Sequence, residues 1–282
     1  MLDQIIARVG KNDRTNLMPE IQTYPARVFR SLMGLPEEDT ERVRALAVLM
    51  IAANAIPAAK DHMAELVEYL RQKIDAAERL STDELKSRKD IISILVATRD
   101  GEDRLTKEEI ISTLVVLLSA GTDTTSHHLG NTLYFLLTRP DLLEQVKKDR
   151  SLIGPALEET LRLVPSGGNY EARRTAKDTE LFGVPLKEGT PVITFETTAN
   201  RDPTRWDNPH EFRLDRPRKQ HLGFGFGPHM CIGMHLARME NRMFIDALFD
   251  AFPDIRLDES APMPRIMGAG FQHPTALPVI LR

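Results

Sequence analysis

Between about residues 36 and 138, apolar positions recur three and four apart with charges between them. That is the period of amphipathic helices. Three runs carry it: Ala45–Ile56, Ala64–Leu80 and Lys89–Thr98. The stretches STDELKSRKD and RDGEDRL are polar and read as loops or helix ends. Thr106 and Glu109 have capping-box spacing, and Pro140 closes the pattern that follows. A helix of about thirty residues, roughly 45–50 Å long, is predicted between them. Leu142–Lys148 and Leu152–Leu163 are also helical in pattern. From Pro165 the pattern changes. ELFGVPLKEGTPVITF alternates and places Gly183, Pro185 and Gly189 at turns, which predicts a hairpin of short strands. Residues 200–221 are rich in Pro, Asp and Arg and have little periodicity, so an irregular connection is expected. IGMHLARMENRMFIDALFDAF returns to helix, and ALPVIL near the end reads as a strand. There is no internal repeat. The predicted class is mainly α with a minor β part, and residues 1–282 read as a single domain.

Composition narrows the function. The chain has 282 residues, 41% of them hydrophobic, with 37 Lys and Arg against 41 Asp and Glu. A formal charge of −4 argues against a dedicated nucleic-acid binder. MLDQIIARVGKNDR is too polar for a secretory signal. The longest apolar stretch, Ala45–Ala59, contains Asn54 and Pro57 and is too short to cross a bilayer. A soluble, cytoplasmic protein without a membrane span is expected.

The chemistry concentrates around the single cysteine, Cys231, in FGFGPHMCIG. One cysteine can form neither an internal disulfide nor a four-cysteine zinc site. As a thiolate, it can be the lone protein ligand of an iron whose other ligands come from a macrocycle. Gly225, Gly227 and Gly233 remove side chains where a flat cofactor lies against backbone. The helix after Cys231 favours a thiolate at its N-terminus through its dipole and free N–H groups. His229 is placed to donate a hydrogen bond to an acidic cofactor edge. A zinc site from His221, His229, Cys231 and His235 has the right atoms but no usual spacing, and it leaves the glycines unexplained. A plain buried thiol is the other reading of a lone cysteine.

The decapeptide resembles the haem-ligand signature of the cytochrome P450 monooxygenases, F-G-x-G-x-H-x-C-x-G, at Phe224, Gly225, Gly227, His229, Cys231 and Gly233. The resemblance implies the P450 fold, haem b as cofactor and Cys231 as axial ligand of its iron. It also implies that Phe224 covers the thiolate side of the ring and that Gly225 and His229 lie at the cofactor, with His229 on a propionate. Arg173 or Arg174 resembles the family's other propionate arginine, and counting from Asp178 and Glu180 favours Arg173.

Two more motifs extend the resemblance. The apolar run of the long predicted helix is interrupted by Gly121-Thr122-Asp123-Thr124-Thr125. Glycine and clustered threonines in a helix weaken its ladder and favour a bulge that admits water. The segment is similar to the family's A/G-G-x-D/E-T-T. This implies a thin helix wall at Ala120 and Gly121, a hydrogen bond from Thr124 to dioxygen, and a proton relay through Asp123. Glu159 and Arg162 lie three apart on one helical face. They resemble the E-x-x-R pair, which with Arg216 implies a structural lock for the core. Leu117, Ala120, Ser166–Glu171 and Ala269–Phe271 are candidate walls for a small apolar substrate. Arg213, Arg216, Arg218 and Lys219 read either as solvated loop charges or as a dock for an acidic ferredoxin, the expected electron donor.

TYPARVFRSLMGLPEED, near the start, resembles a segment well inside the family's domain. The expectation is therefore an N-terminally truncated P450, without the early strands or the W/H-x-x-x-R helix. A remnant or one half of a split gene stays open beside the monooxygenase. So does a haem-thiolate isomerase, dehydratase or peroxygenase, against which Asp123 and Thr124 count.

Overall fold

The computed structural model describes all residues except 11, 53–58, 101–102, 168–169, 269 and 282. It divides into two compact units, Met1–Met18 with His127–Arg282, and Pro19–Ser126.

The middle unit is helical. It holds α2 (Met18–Leu32, after the short α1, Leu2–Val9), α3 (Thr40–Ala52), α4 (Ala59–Glu78), α5 (Thr82–Ser87) and α6 (Ile91–Ala97). A two-residue ladder, β2 (Arg99–Asp100) with β3 (Asp103–Arg104), leads to the long helix α7 (Lys107–Leu137). Phe29, Met33, Leu66, Leu70, Ile74, Leu114 and Leu118 are buried in this unit. Ile56, the expected end of the third helix, lies outside the described residues. The stretch at 81–90, read as loop or helix end, contains the separate short helix α5. Ser81 accepts from the Glu84 N–H at 3.3 Å, and Glu84 Oε2 accepts from the Ser81 N–H at 2.9 Å. This capping box stabilises a helix too short to show periodicity. The box predicted at Thr106 forms in the same way, with Thr106 N–H donating to Glu109 Oε2 at 2.7 Å.

The larger unit carries α8 (Pro140–Lys148), α9 (Ile153–Leu163), α10 (Glu196–Ala199) and α11 (Met234–Ala251). Helix α11 packs on α9 and on α1. Phe244, Ile245, Leu248, Leu157 and Leu161 are buried in this unit. The antiparallel pairs are β4 (Glu171–Arg174) with β7 (Pro191–Thr194), and β5 (Thr179–Leu181) with β6 (Val184–Leu186). Another, β9 (Ile266–Met267) with β10 (His273–Pro274), follows. Strand β11 (Pro278–Ile280) sits between β1 (Arg14–Asn16) and β8 (Arg256–Leu257), with Thr15 opposite Val279. The ends of the chain thus share one sheet, a pairing that local pattern does not encode. Residues 200–221 are irregular, as their composition predicts.

Candidate active site

Cys231 lies in a turn between a single 3₁₀ turn, Gly227–His229, and α11. Its N–H donates to the Phe224 carbonyl at 2.9 Å, which folds the decapeptide back on itself. Gly225 and Gly227 adopt φ of +71° and +72°, a region that side chains disfavour, so the glycines shape this turn. The thiol is exposed. Phe226 and Ile232 beside it are 72% and 87% exposed, a costly display of apolar surface for the protein alone. His229 is exposed and makes no hydrogen bond among the described residues. In β4, Arg174 Nη1 donates to the Gly189 carbonyl at 3.0 Å, whereas Arg173 makes no side-chain hydrogen bond among the described residues.

The donor set fits haem. No cluster of three or more His, Cys, Asp or Glu that could hold an ion occurs among the described residues. An iron on the Cys231 thiolate would take its remaining ligands from a porphyrin, and the exposed thiol with Phe226 and Ile232 beside it fits that flat, apolar group.

Behind the turn, the predicted trio converges. Arg162 Nε and Nη2 donate to the two Glu159 carboxylate oxygens, both at 2.8 Å. Arg216 Nε reaches the same carboxylate at 2.8 and 3.0 Å. The three side chains are 1%, 4% and 8% exposed for Arg162, Glu159 and Arg216. Arg162 also donates to the carbonyls of Asn200, Pro209 and Glu211 at 2.7–3.0 Å. Arg216 takes those of Asn208 and Glu211, and the Arg213 N–H adds a bond to Glu159 at 3.2 Å. The irregular segment has no ladder of its own, and two guanidinium groups bind several of its backbone carbonyls.

A second set beside the lock is missing from the sequence reading. Arg238, on α11, grips Glu158 with Nε–Oε1 at 2.7 Å and Nη2–Oε2 at 2.8 Å. Its guanidinium stacks 4.6 Å from the Phe224 ring centre. His221 Nδ1 accepts from the Gly223 N–H at 3.0 Å, so Nε2 carries the proton and donates to Glu158 at 3.3 Å. Burial raises the Glu158 carboxyl, but hydrogen bonds from Arg238 and His221 outweigh it and bring the value down to about 2. The adjacency of Glu158 and Glu159 was visible in sequence; that each faces a different arginine was not.

Along α7 the expected bulge does not form. The helix is α throughout Lys107–Leu137. Its hydroxyls bond back onto the preceding turn: Thr122 to the Leu118 carbonyl at 3.0 Å, Ser119 to that of Val115 at 3.1 Å, and Thr124 to that of Ala120. These bonds form without interrupting the α-helix. Ala120 is exposed and Asp123 and Thr124 are half-buried. A Cβ on Gly121 would lie 2.0 Å from Phe29 Cζ of α2, so close helix packing is one reason for this glycine. Further along, His127 and His128 are buried, and burial pushes them down to about 3 and about 4. Of the expected substrate walls, Gly168, Asn169 and Ala269 lie outside the described residues. Phe271 lies 6.1 Å from the His127 ring.

The expected basic dock is depleted. Arg216 is committed to the lock, and Arg213 to Asp215 at 3.0 Å and Asp207 at 3.3 Å. Arg218 and Lys219 are exposed and share a groove with Arg238 and Arg242.

Fold and site together describe a mainly helical protein that presents one thiol on a glycine turn before a helix. A family model described as Cytochrome P450 matches residues 47–275. The chain belongs to the cytochrome P450 family. It is 33% identical to the mycinamicin IV hydroxylase/epoxidase of Micromonospora griseorubida, over 91% of this chain and 64% of that protein. Identity is also 33% to the cytochrome P450 monooxygenase PikC of Streptomyces venezuelae, over 95% and 64%. The solved structure of PksS, the bacillaene polyketide synthase cytochrome P450 of Bacillus subtilis 168, superposes with a TM-score of 0.89. That match has 28% identity over 99% of this chain and 72% of the other. The chain thus spans a little under two thirds of the length of the first two relatives. No helix among the described residues is long and apolar enough to cross a membrane.

Proposed function

We propose that the chain is a haem-thiolate monooxygenase, one P450 domain over 1–282, that places one atom of O2 into a small apolar substrate in the cytoplasm. The observation that carries the reading is the exposed Cys231 thiol on the Gly225–Gly227 turn, flanked by exposed apolar side chains. Haem b, when bound, supplies the redox chemistry that activates dioxygen, with a thiolate ligand favouring O–O cleavage.

The chain's own residues have separate tasks. Cys231 holds the iron through Sγ. Phe224 and Gly225 lie against the cofactor, with the Phe224 ring limiting water at the sulfur. His229 donates to one propionate. Arg173 is the partner of the other, because the Arg174 guanidinium is engaged with Gly189. Ala120 and Gly121 keep α7 narrow. Thr124 Oγ1 directs its own proton to the Ala120 carbonyl, which leaves its lone pairs to accept from a neighbouring donor. The Asp123 carboxyl relays protons at that point. Glu159, Arg162 and Arg216 hold the frame.

Electrons come singly from a ferredoxin or similar acidic donor, attracted by Arg218 and Lys219, the members of the basic stretch that no carboxylate holds among the described residues. The difference spectrum of the reduced, haem-loaded protein with carbon monoxide tests the reading. A strongly red-shifted Soret band that is lost in Cys231→Ser is expected. The same spectrum with and without Cys231 would overturn it. Turnover that needs an external reductase separates a monooxygenase from an isomerase or peroxygenase.

A further inference from the structure

We propose that Glu158 and Arg238 are positioning residues for the Cys231 turn, holding Phe224 and hence the Cys231 backbone in its ligand-ready form. This deepens the haem-thiolate reading and rests on it for its functional consequence. The side chains of Arg238 and Glu158 are 34% and 39% exposed, and an ion pair this open adds little to global stability. Its geometry is nevertheless more constrained than that of an ordinary surface pair. Both guanidinium–carboxylate bonds are short, and the same guanidinium lies 4.6 Å from the Phe224 ring centre.

The connections form a continuous path. Glu158 comes from α9, the helix that carries the lock residues Glu159 and Arg162. It fixes Arg238 on α11, and Arg238 covers Phe224. The Phe224 carbonyl accepts the Cys231 N–H at 2.9 Å. On the other side, Glu158 accepts from His221, whose Nδ1 holds the Gly223 N–H. Gly223 is tightly seated: a Cβ there would lie 2.9 Å from the Leu161 carbonyl. One carboxylate thus holds the start of the segment at His221 and, through Arg238, at Phe224, whose carbonyl binds the Cys231 N–H. The planar fork of arginine is needed for this, since it pairs in bidentate fashion and stacks in one geometry, whereas lysine offers only a point charge.

The test compares wild type with Arg238→Leu, Arg238→Lys and Glu158→Gln in two states of the full chain. In the haem-free protein, amide hydrogen exchange is followed in a peptide covering residues 222–234 and in one covering the body of α9. The proposal expects at least tenfold faster exchange at the turn in Arg238→Leu and Arg238→Lys, a smaller rise in Glu158→Gln, and no change in α9. In the haem-loaded protein, it expects the red-shifted carbon monoxide band to decay at least fivefold faster in both Arg238 variants. Unchanged exchange at the turn in Arg238→Leu overturns the proposal. So does full retention of wild-type exchange and band lifetime by Arg238→Lys, which would leave only a role for charge. If exchange responds as expected but wild type itself shows no red-shifted band, the positioning role stands and the haem-thiolate reading falls.

Discussion

The Glu159 lock and the Cys231 turn belong to one unit but have opposite relations to the rest of the protein. Every charged oxygen and nitrogen of the lock is matched inside the chain: one carboxylate, two guanidinium groups and the carbonyls of a segment without regular structure. The turn is held by its own backbone and a few neighbours. It shows solvent a thiol, a histidine and two large apolar side chains. Groups that serve the fold have protein partners; groups reserved for a ligand keep their valences open. Substitutions should therefore separate, with lock changes read in stability and turn changes read in cofactor binding.

The largest effect is expected from Arg162→Ala. It leaves Glu159 buried with one of its two arginines and takes their donor from the Asn200 and Pro209 carbonyls, while Glu211 keeps Arg216. Denaturant unfolding should show a loss of about 3–5 kcal/mol, or no folded protein. A loss below about 1 kcal/mol would mean that the lock is a surface pair in effect.

Glu240 on α11 is a second buried carboxyl to set beside the lock. It is 2% exposed, and desolvation raises its carboxyl from 4.5 to about 8. Because the folded value lies above the unfolded one, its contribution is fully present below about pH 4.5 and is lost as pH rises toward 8. Between pH 5 and 8, wild type should therefore lose roughly 3 kcal/mol more than Glu240→Gln. Parallel stability curves for the two proteins would refute the effect.

The third contrast concerns Gly121→Ala, which sets a methyl against the Phe29 ring. Alanine gains about 0.5–1 kcal/mol of helix propensity, while overpacking costs about 1–3 kcal/mol. A net loss near 1 kcal/mol is expected, relieved when Phe29→Leu is combined with it. Additive effects in that double-mutant cycle would show that the contact is not the reason for the glycine. The smallest stability effect belongs to Cys231→Ser. Unfolding of the haem-free protein should shift by less than about 0.5 kcal/mol, since the side chain is exposed. A larger change would place the thiol among the structural groups and break the comparison.

Much of this protein is legible without coordinates because its determinants are short-range. Helical period, the Thr106–Glu109 box and Pro140 define α7 within a few residues. Glycine, histidine and cysteine at fixed offsets define the turn, because backbone conformation and donor type are properties of neighbouring residues. The family follows from such offsets. Helix α5 escaped because six residues hold too little of a period. The bulge expected at Thr122–Thr125 failed for another local reason, the hydroxyls finding their acceptors one turn back. What only the tertiary structure decided are the pairings across distance that no motif announces: β1 beside β11, Arg238 on Glu158 and Phe29 against Gly121. No local pattern distinguishes Arg238 from Arg242, whereas the place of Arg216 in FRLDRP already pointed to the lock. Folding assigns each charge its partner, since the burial that makes a pairing obligatory exists only once distant segments have met.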